Sequence, residues 1–421
     1  MTSRISRRAV VWRGDVIAGR LTRTQDGGLF EYDKEFVAQQ RPSWDRGLAY
    51  HLPYDSPRVE TRGTNVHTFF AGLLPEGVRL RALVRRVKTS EDDLLSLLVA
   101  AGADCIGDVS VTQDEEAPDV RPTIDLSRLS ETSFRELLVE SLAGKHGEEP
   151  MLPGVQEKIS AGMISLPLRA AEGRRASFIL KLTPEQTPRL VENEHFFLRM
   201  AADAGLAVAR AELTRDRDGE TGLLVERFDR VVSGRTVLKV HQEDACQFLE
   251  RYPADKYALS CADIARGVVE LAAAPLPEVA KLLRLYAFSY LIANGDLHAK
   301  NVSLRTTLDG RVELTPAYDV LSTLPYGDRS MALPLDGRDD NLKRATFIEF
   351  GERFGVRARA TAAILDELCD VAPAWIARLD EIGLPARKTA DLGRVMKKRR
   401  DDLGPGAGSI AKRRAAGRAK R

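Results

Sequence analysis

The sequence predicts an α+β protein in which a β-rich half is followed by an α-rich one. Three observations point there. Between about residues 8 and 70, short β-branched and aromatic runs (AVVW, GLFEY, GLAYHLP) alternate with turns such as Gly14-Asp15 and Asp26-Gly27-Gly28. From Glu243 to Ala293, and over most of 344–400, the patterning is helical. The chain has 421 residues, 43% of them hydrophobic, so it can build two or three cores without disulfides or metal. Its four cysteines (Cys105, Cys246, Cys261, Cys369) are scattered with no CxxC spacing, as expected of reduced cytosolic thiols.

Residues 74–101 follow the first strands as a helical stretch, where Ser90 and Asp93 make a capping-box-like start for LLSLLVA. Residues 102–122 carry a Gly-rich turn, a short strand and an acidic, Pro-containing linker, and a first boundary is placed there. A helix is expected over 130–143. MLPGVQEK (151–158) then reads as a turn before the strand-like ISAGMISL. Such a turn can aim backbone N–H groups and a lysine at phosphates, or be a plain Pro-Gly turn; it is no Walker loop.

SFILKL (177–182) is a strand with one lysine, Lys181, amid apolar residues. Such a lysine has a specific anionic partner or snorkels to an edge. Residues 192–205 form a helix whose buried face is Phe196, Phe197, Met200, Ala201 and Ala204. Glu192 and Glu194 flank that face on opposite sides, and spacing does not choose which points at Lys181. LLVERFDR (223–230) passes from an apolar strand into charge. That suits backbone exposed to a ligand, and equally an ordinary strand end; Asp229-Arg230 reads as an ion pair.

The segment NGDLHAKN (294–301) constrains function most. KLLRLYAFSYLIA (281–293) is apolar on most faces, as a buried helix would be, and Asn294-Gly295 is expected to stop it, with glycine taking the left-handed geometry. Residues 302–305 read as a strand, Asp309-Gly310 as a hairpin turn and 311–314 as the return strand. Asp296 and Asn301 then lie on a loop between helix and hairpin, with Asp319 just beyond. Phosphoryl transfer needs a carboxylate to orient a hydroxyl, plus an amide and a second carboxylate to hold magnesium. The order and spacing resemble the catalytic loop and metal-binding aspartate of protein kinases. Taken alone, the Asp-Leu-His triplet is also what a solvated Gly-Asp turn looks like.

The net charge of +2 conceals an asymmetry. Residues 397–421 carry ten basic and two acidic side chains, so the preceding body is mildly acidic. This Gly- and Ala-rich end is expected to be disordered. It is suited to contact nucleic acid or an acidic partner, or simply to aid solubility. No apolar run reaches the length of a membrane helix, and the N-terminus lacks the apolar stretch of a secretory signal. A cytoplasmic protein without membrane contact is expected.

In this order, GLLPEG (72–77), PGVQEK (153–158), the strand around Lys181, ENEHFFL (192–198), VERFDR (225–230), HQEDACQ (241–247), NGDLHAKN (294–301) and LTPAYDV (314–320) resemble the HipA family, the kinase-like toxins of bacterial toxin–antitoxin modules. The likeness runs from about residue 8 to 390. It implies a two-lobed, protein-kinase-like fold: an N-terminal subdomain over 1–122, a kinase N-lobe over 123–231, an α-rich C-lobe over 232–396, and the tail. It implies ATP and Mg2+ as ligands, and transfer to a serine or threonine of a translation-related protein, with aminoacyl-tRNA synthetases as the suggested substrate class. It also implies a small helix-turn-helix antitoxin of the HipB kind and, through it, operator DNA.

By the same resemblance, Asp296 would orient the acceptor hydroxyl, and Asn301 and Asp319 would coordinate magnesium. Lys181 would pair with the α- and β-phosphates, steadied by Glu194. Pro153, Gly154, Val155, Gln156, Glu157 and Lys158 would cover the phosphates. The backbone of Glu226, Arg227 and Phe228 would meet the adenine, with His298, Ala299, Lys300 and Tyr318 lining the nucleotide pocket. One departure stands out: Met151 occupies the place where such proteins often carry an autophosphorylated serine, and Ser160 and Ser165 are poor substitutes. Two competing readings are a small-molecule kinase of the aminoglycoside or choline type and a non-catalytic co-repressor on antitoxin and operator.

Overall fold

The computed structural model describes residues 6–118, 126–137, 164–169, 177–183, 186–233 and 236–405. Two compact units interleave along the chain. One comprises Met1–Val191, Ala209–Lys256 and Ala299–Thr315; the other comprises Glu192–Val208, Tyr257–His298 and Pro316–Arg421. This division differs from the four consecutive segments expected, because Gln242–Asp244, Ser303–Thr306 and Val312–Leu314 join as one sheet within the first unit.

The first unit opens with a five-stranded antiparallel sheet, in the order Arg58–Arg62, Gly27–Tyr32, Val16–Arg23, Arg8–Arg13, Val109–Thr112. Its apolar face, with Val11, Leu21 and Phe30, packs on Phe69, Phe70, Leu95 and Leu98 from helices Thr68–Gly72 and Leu94–Ala101. Gly27 and Gly28 belong to a strand rather than to the expected turn. A Cβ on Gly27 would lie 1.9 Å from the Thr61 carbonyl oxygen, so glycine serves close strand approach there. The cap of Leu94–Ala101 also differs: Asp93 itself accepts from the Ser96 amide, while Ser90 accepts from Asp92.

A second antiparallel sheet runs Ala211–Arg215, Thr221–Glu226, Ser177–Leu182, Ile164–Arg169. Leu180, Leu182 and Leu224 close its core against Leu129 and Phe134. Of the helix expected over 130–143, the described part ends at residue 137. Met151, residues 153–158 and Ser160 lie outside the described residues.

The second unit is helical: most of Leu190–Asp203, then Cys261–Leu271, Pro275–Leu291, Arg344–Arg353, Ala358–Ile376 and Ala386–Leu403. Ser260 and Asp263 form a capping box on Cys261–Leu271, and Pro275 begins the next helix, where its missing N–H costs nothing. Phe196, Phe197, Met200, Ala201 and Ala204 are all buried, as their spacing predicts. The expected tail needs correction at its start, because Ala386–Leu403 continues through residues 397–403. Arg399 is only 3% exposed, donates to the carbonyls of Tyr290 and Arg329 and to Asp340, and lies over the Tyr290 ring. It belongs to the core of the unit. Among the described residues no helix is long and apolar enough to cross a membrane.

Candidate active site

In the second unit, helix Pro275–Leu291 delivers the segment that carries Asp296. The residue that turns the chain out of the helix is Ala293, at φ +55°, and not Gly295 as the sequence suggested. The left-handed turn is held by Thr323, whose amide and hydroxyl both donate to the Ala293 carbonyl. The Gly295 amide donates to the same Thr323 oxygen at 2.7 Å. Gly295 is needed for a different reason: a Cβ there would stand 2.6 Å from the Asp328 carboxylate and from the Ser330 carbonyl oxygen.

Asp296 emerges from this turn only 1% exposed. Its amide donates to Asn294 Oδ1 at 2.9 Å, its carbonyl accepts from the His298 amide at 2.8 Å, and its carboxylate Oδ1 accepts from the Tyr257 hydroxyl at 2.8 Å. The Tyr257 ring stands edge-on to His298, centroids 5.1 Å apart. Burying a carboxylate is costly unless it is hydrogen-bonded, and these contacts define its direction. Asp319, in the same unit, is half-buried at φ +54°, a region that aspartate tolerates better than most residues. Tyr318 beside it is also half-buried. Asn193, a residue of ENEHFFL with no role implied by the resemblance, holds the chain just past Asp319: its side-chain amide donates to the Ser322 carbonyl and accepts from the Ser322 amide. Beside it, Glu194 is fully buried and Glu192 half-exposed, so burial distinguishes the two where spacing could not.

In the first unit, Lys181 lies on an interior strand of its sheet, opposite Ser165 on one side and Leu223 on the other, and is 6% exposed. At the end of the neighbouring strand, the Glu226 amide donates to the Arg210 carbonyl and the Arg227 amide to the Ser177 carbonyl. Those two N–H groups are committed within the protein. The Arg227 side chain turns into a buried cluster: it pairs with Asp229 and Asp104 and donates to the Cys105 carbonyl. Arg230 bonds the same Asp229, Asp104 and Cys105 carbonyl. Burial raises the carboxyl pKa of Asp229, and the two guanidiniums reverse this to hold it below the ordinary range. Asp229-Arg230 is thus the expected ion pair, enlarged by a partner more than a hundred residues away.

Asn301 ends the short turn Ala299–Asn301 and is buried, as is Ala299, whose amide donates to the Lys256 carbonyl. Lys300 between them points at protein groups: its ammonium bonds Asp244 and the Gly72 carbonyl. Burial pushes this amine's pKa down, and Asp244 and Glu76 drive it above its ordinary value. Glu76 also pairs with Lys256 at 3.1 Å. Gly72 leaves no room for a Cβ, which would strike Gln247 at 2.4 Å, and Gln247 donates to the Phe69 carbonyl. GLLPEG and HQEDACQ therefore meet each other and the Lys300 end of NGDLHAKN.

A second buried cluster joins the five-stranded sheet to Gln242–Asp244. His241 lies between Asp108 and Glu243, each at 2.9 Å; Asp108 also pairs with Arg13, and Glu243 accepts from the Tyr50 amide.

Comparison with known proteins agrees with this architecture. Residues 9–112 match the HipA N-terminal domain and residues 151–376 the HipA-like C-terminal domain. A putative kinase of Sinorhizobium fredii is 31% identical over 342 residues, which cover 76% of this chain and 78% of that protein. A second putative kinase of the same organism is 31% identical over 341 residues, covering 74% and 77%. The fold is similar to that of HipA from Shewanella oneidensis in a complex of HipA, HipB and operator DNA, with a TM-score of 0.70 at 21% identity over 93% of this chain and 96% of that one. The α+β architecture expected from the sequence therefore holds, and both Sinorhizobium relatives are described as putative kinases. The chain belongs to the HipA family.

Proposed function

We propose that this protein is a serine/threonine protein kinase that transfers the γ-phosphate of ATP to a translation-related protein, such as an aminoacyl-tRNA synthetase, and so arrests growth as the toxin of a toxin–antitoxin module. The observation that carries the reading is the buried Asp296 carboxylate, which accepts from Tyr257, on a backbone held by Asn294 in a turn braced by Thr323. In this role Asp296 accepts the hydrogen bond of the acceptor hydroxyl and takes its proton as the phosphoryl group arrives. Lys181 neutralises the α- and β-phosphates. Since the amides of Glu226 and Arg227 are committed, adenine recognition falls to their carbonyls and to Phe228.

Among the described residues no three His, Cys, Asp or Glu side chains gather into a metal cage. Magnesium does not require one, because it keeps waters and phosphate oxygens and takes one or two protein oxygens. The Asn301 amide and the Asp319 carboxylate are donors of that type and would hold it. When bound, the ion neutralises charge on the transferred phosphates. The partners that fit this reading are a small HipB-like helix-turn-helix antitoxin and, through it, operator DNA. The basic residues beyond 405 are suited to supplementary contact with nucleic acid.

The test is incubation of the purified protein with labelled Mg-ATP and a bacterial lysate, followed by phosphoamino-acid analysis. A labelled protein carrying phosphoserine or phosphothreonine is expected, with Asp296→Ala abolishing both the label and growth arrest. Nucleotide binding without transfer to any protein, or toxicity undiminished in Asp296→Ala, would overturn the proposal. Resistance to aminoglycosides on expression would favour the small-molecule kinase instead.

A further inference from the structure

Tyr257 carries no motif, yet its hydroxyl donates to the carboxylate on which the proposed chemistry turns. It lies between the short turn Pro253–Asp255 and helix Cys261–Leu271, whose cap at Ser260 fixes the chain three residues further on. From there the hydroxyl reaches Asp296 Oδ1 at 2.8 Å, and the ring meets His298 edge-on at an interplanar angle of 80°. The two contacts reinforce one another. The ring is located by His298, and the His298 amide in turn donates to the Asp296 carbonyl. An ionised carboxylate has about four lone-pair sites, so accepting from Tyr257 does not exhaust its capacity for an acceptor hydroxyl.

We infer that Tyr257 is a positioning residue for Asp296, selecting the carboxylate orientation that meets the acceptor hydroxyl and favouring its ionised form by hydrogen bonding. The inference rests on the phosphoryl-transfer reading of Asp296. A neutral donor on a buried carboxylate does two things. It removes the rotational freedom that would otherwise cost reactive geometry, and it stabilises the charge that must accept a proton. Tyrosine can do both, because its hydroxyl is a neutral hydrogen-bond donor.

Tyr257→Phe isolates the hydroxyl, since the ring and its contact with His298 are kept. The expected result is a fall in kcat of about tenfold, the scale of one hydrogen bond to a charged group. KM for ATP should be unchanged, and the acidic limb of kcat against pH should move to higher pH. Incorporation of a fluorotyrosine at 257, a stronger donor of nearly the same shape, should move that limb to lower pH. This second variant keeps the question answerable where the phenylalanine protein folds poorly.

Wild type and Asp296→Ala are run alongside. If wild type transfers phosphate and Asp296→Ala does not, while both position-257 variants superimpose on wild type in kcat and in pH profile, this inference alone falls. If wild type transfers no phosphate to any protein, the kinase reading falls and takes this inference with it.

Discussion

His241 is the residue whose charge state offers the most direct physical test of the first unit. Burial alone would push its imidazole pKa down, but Asp108 and Glu243 on either side raise it to about 9 from an ordinary 6.5. A group with a raised folded-state pKa stabilises fully below its unfolded value, and that contribution is lost as pH climbs through the folded one. Stability should therefore fall between about pH 6.5 and pH 9. Each tenfold gain in proton affinity on folding is worth about 1.4 kcal/mol, so the loss across this window is about 3 kcal/mol. Asp108 works in the opposite sense: burial raises its carboxyl pKa, but His241 and Arg13 hold it below the ordinary range. Its contribution is lost only in acid and stays constant through this window.

His241→Gln keeps a hydrogen-bonding side chain between the two carboxylates and removes the titrating charge. Urea unfolding at pH 6, 7, 8 and 9.5 reads the difference between the two proteins. Trp12 and Trp44 report the first unit, and Trp375→Phe in both backgrounds silences the second. The stability gap should be widest at pH 6 and close by about 3 kcal/mol at pH 9.5. A gap that stays constant across the range would mean that the imidazole is not charged in the folded protein, and the cluster would have to be redrawn around a neutral histidine.

Two further substitutions probe the support of the candidate site. Lys300→Met strands the buried Asp244 carboxylate and should cost about 3–5 kcal/mol in thermal unfolding, with part of the loss recovered by Asp244→Asn; an unaltered melting curve would show that Lys300 is not the ion partner. Gly295→Ala should destabilise by about 1–3 kcal/mol through overpacking and reduce phosphoryl transfer, because its Cβ meets the Asp328 carboxylate and the Ser330 carbonyl; activity and stability equal to wild type would exclude the close approach.

What was legible in the sequence was local. The helix, turn and hairpin around Asp296 and Asn301 are set by apolar patterning and turn residues within a few positions, and they emerge nearly where spacing places them. Buried helix faces were legible for the same reason. What failed was pairing across long separations. Tyr257 meets Asp296 across 39 positions and Asn193 meets Ser322 across 129, and neither type of residue announces a partner. Gly27-Gly28 and Gly295 were read as turn formers because glycine signals left-handed backbone locally, whereas their actual role is close packing against distant chain. The start of the basic tail was misread because four adjacent cations look solvent-exposed, and nothing nearby shows that Arg399 is accepted by the carbonyls of Tyr290 and Arg329.

The motifs that looked like ligand-binding signatures divide by what their side chains do. In VERFDR both arginines are spent on Asp229, Asp104 and the Cys105 carbonyl; in HQEDACQ the histidine, both acids and Gln247 bond within the protein; in NGDLHAKN the lysine faces Asp244 and Gly72. Apolar side chains of similar volume would often stabilise as well as such buried ion clusters do, so stability alone does not account for them. Their geometry suggests specificity of placement. Each bonds the 66–108 part of the N-terminal subdomain to a strand end or loop beside a residue assigned to nucleotide or metal, and each requires one register to satisfy every charge. An apolar contact can slide by a fraction of a side chain, but Arg227 and Arg230 sharing Asp229 and Asp104 cannot. On this view the N-terminal subdomain fixes the position of the strand end at Glu226 and of the turn at Asn301.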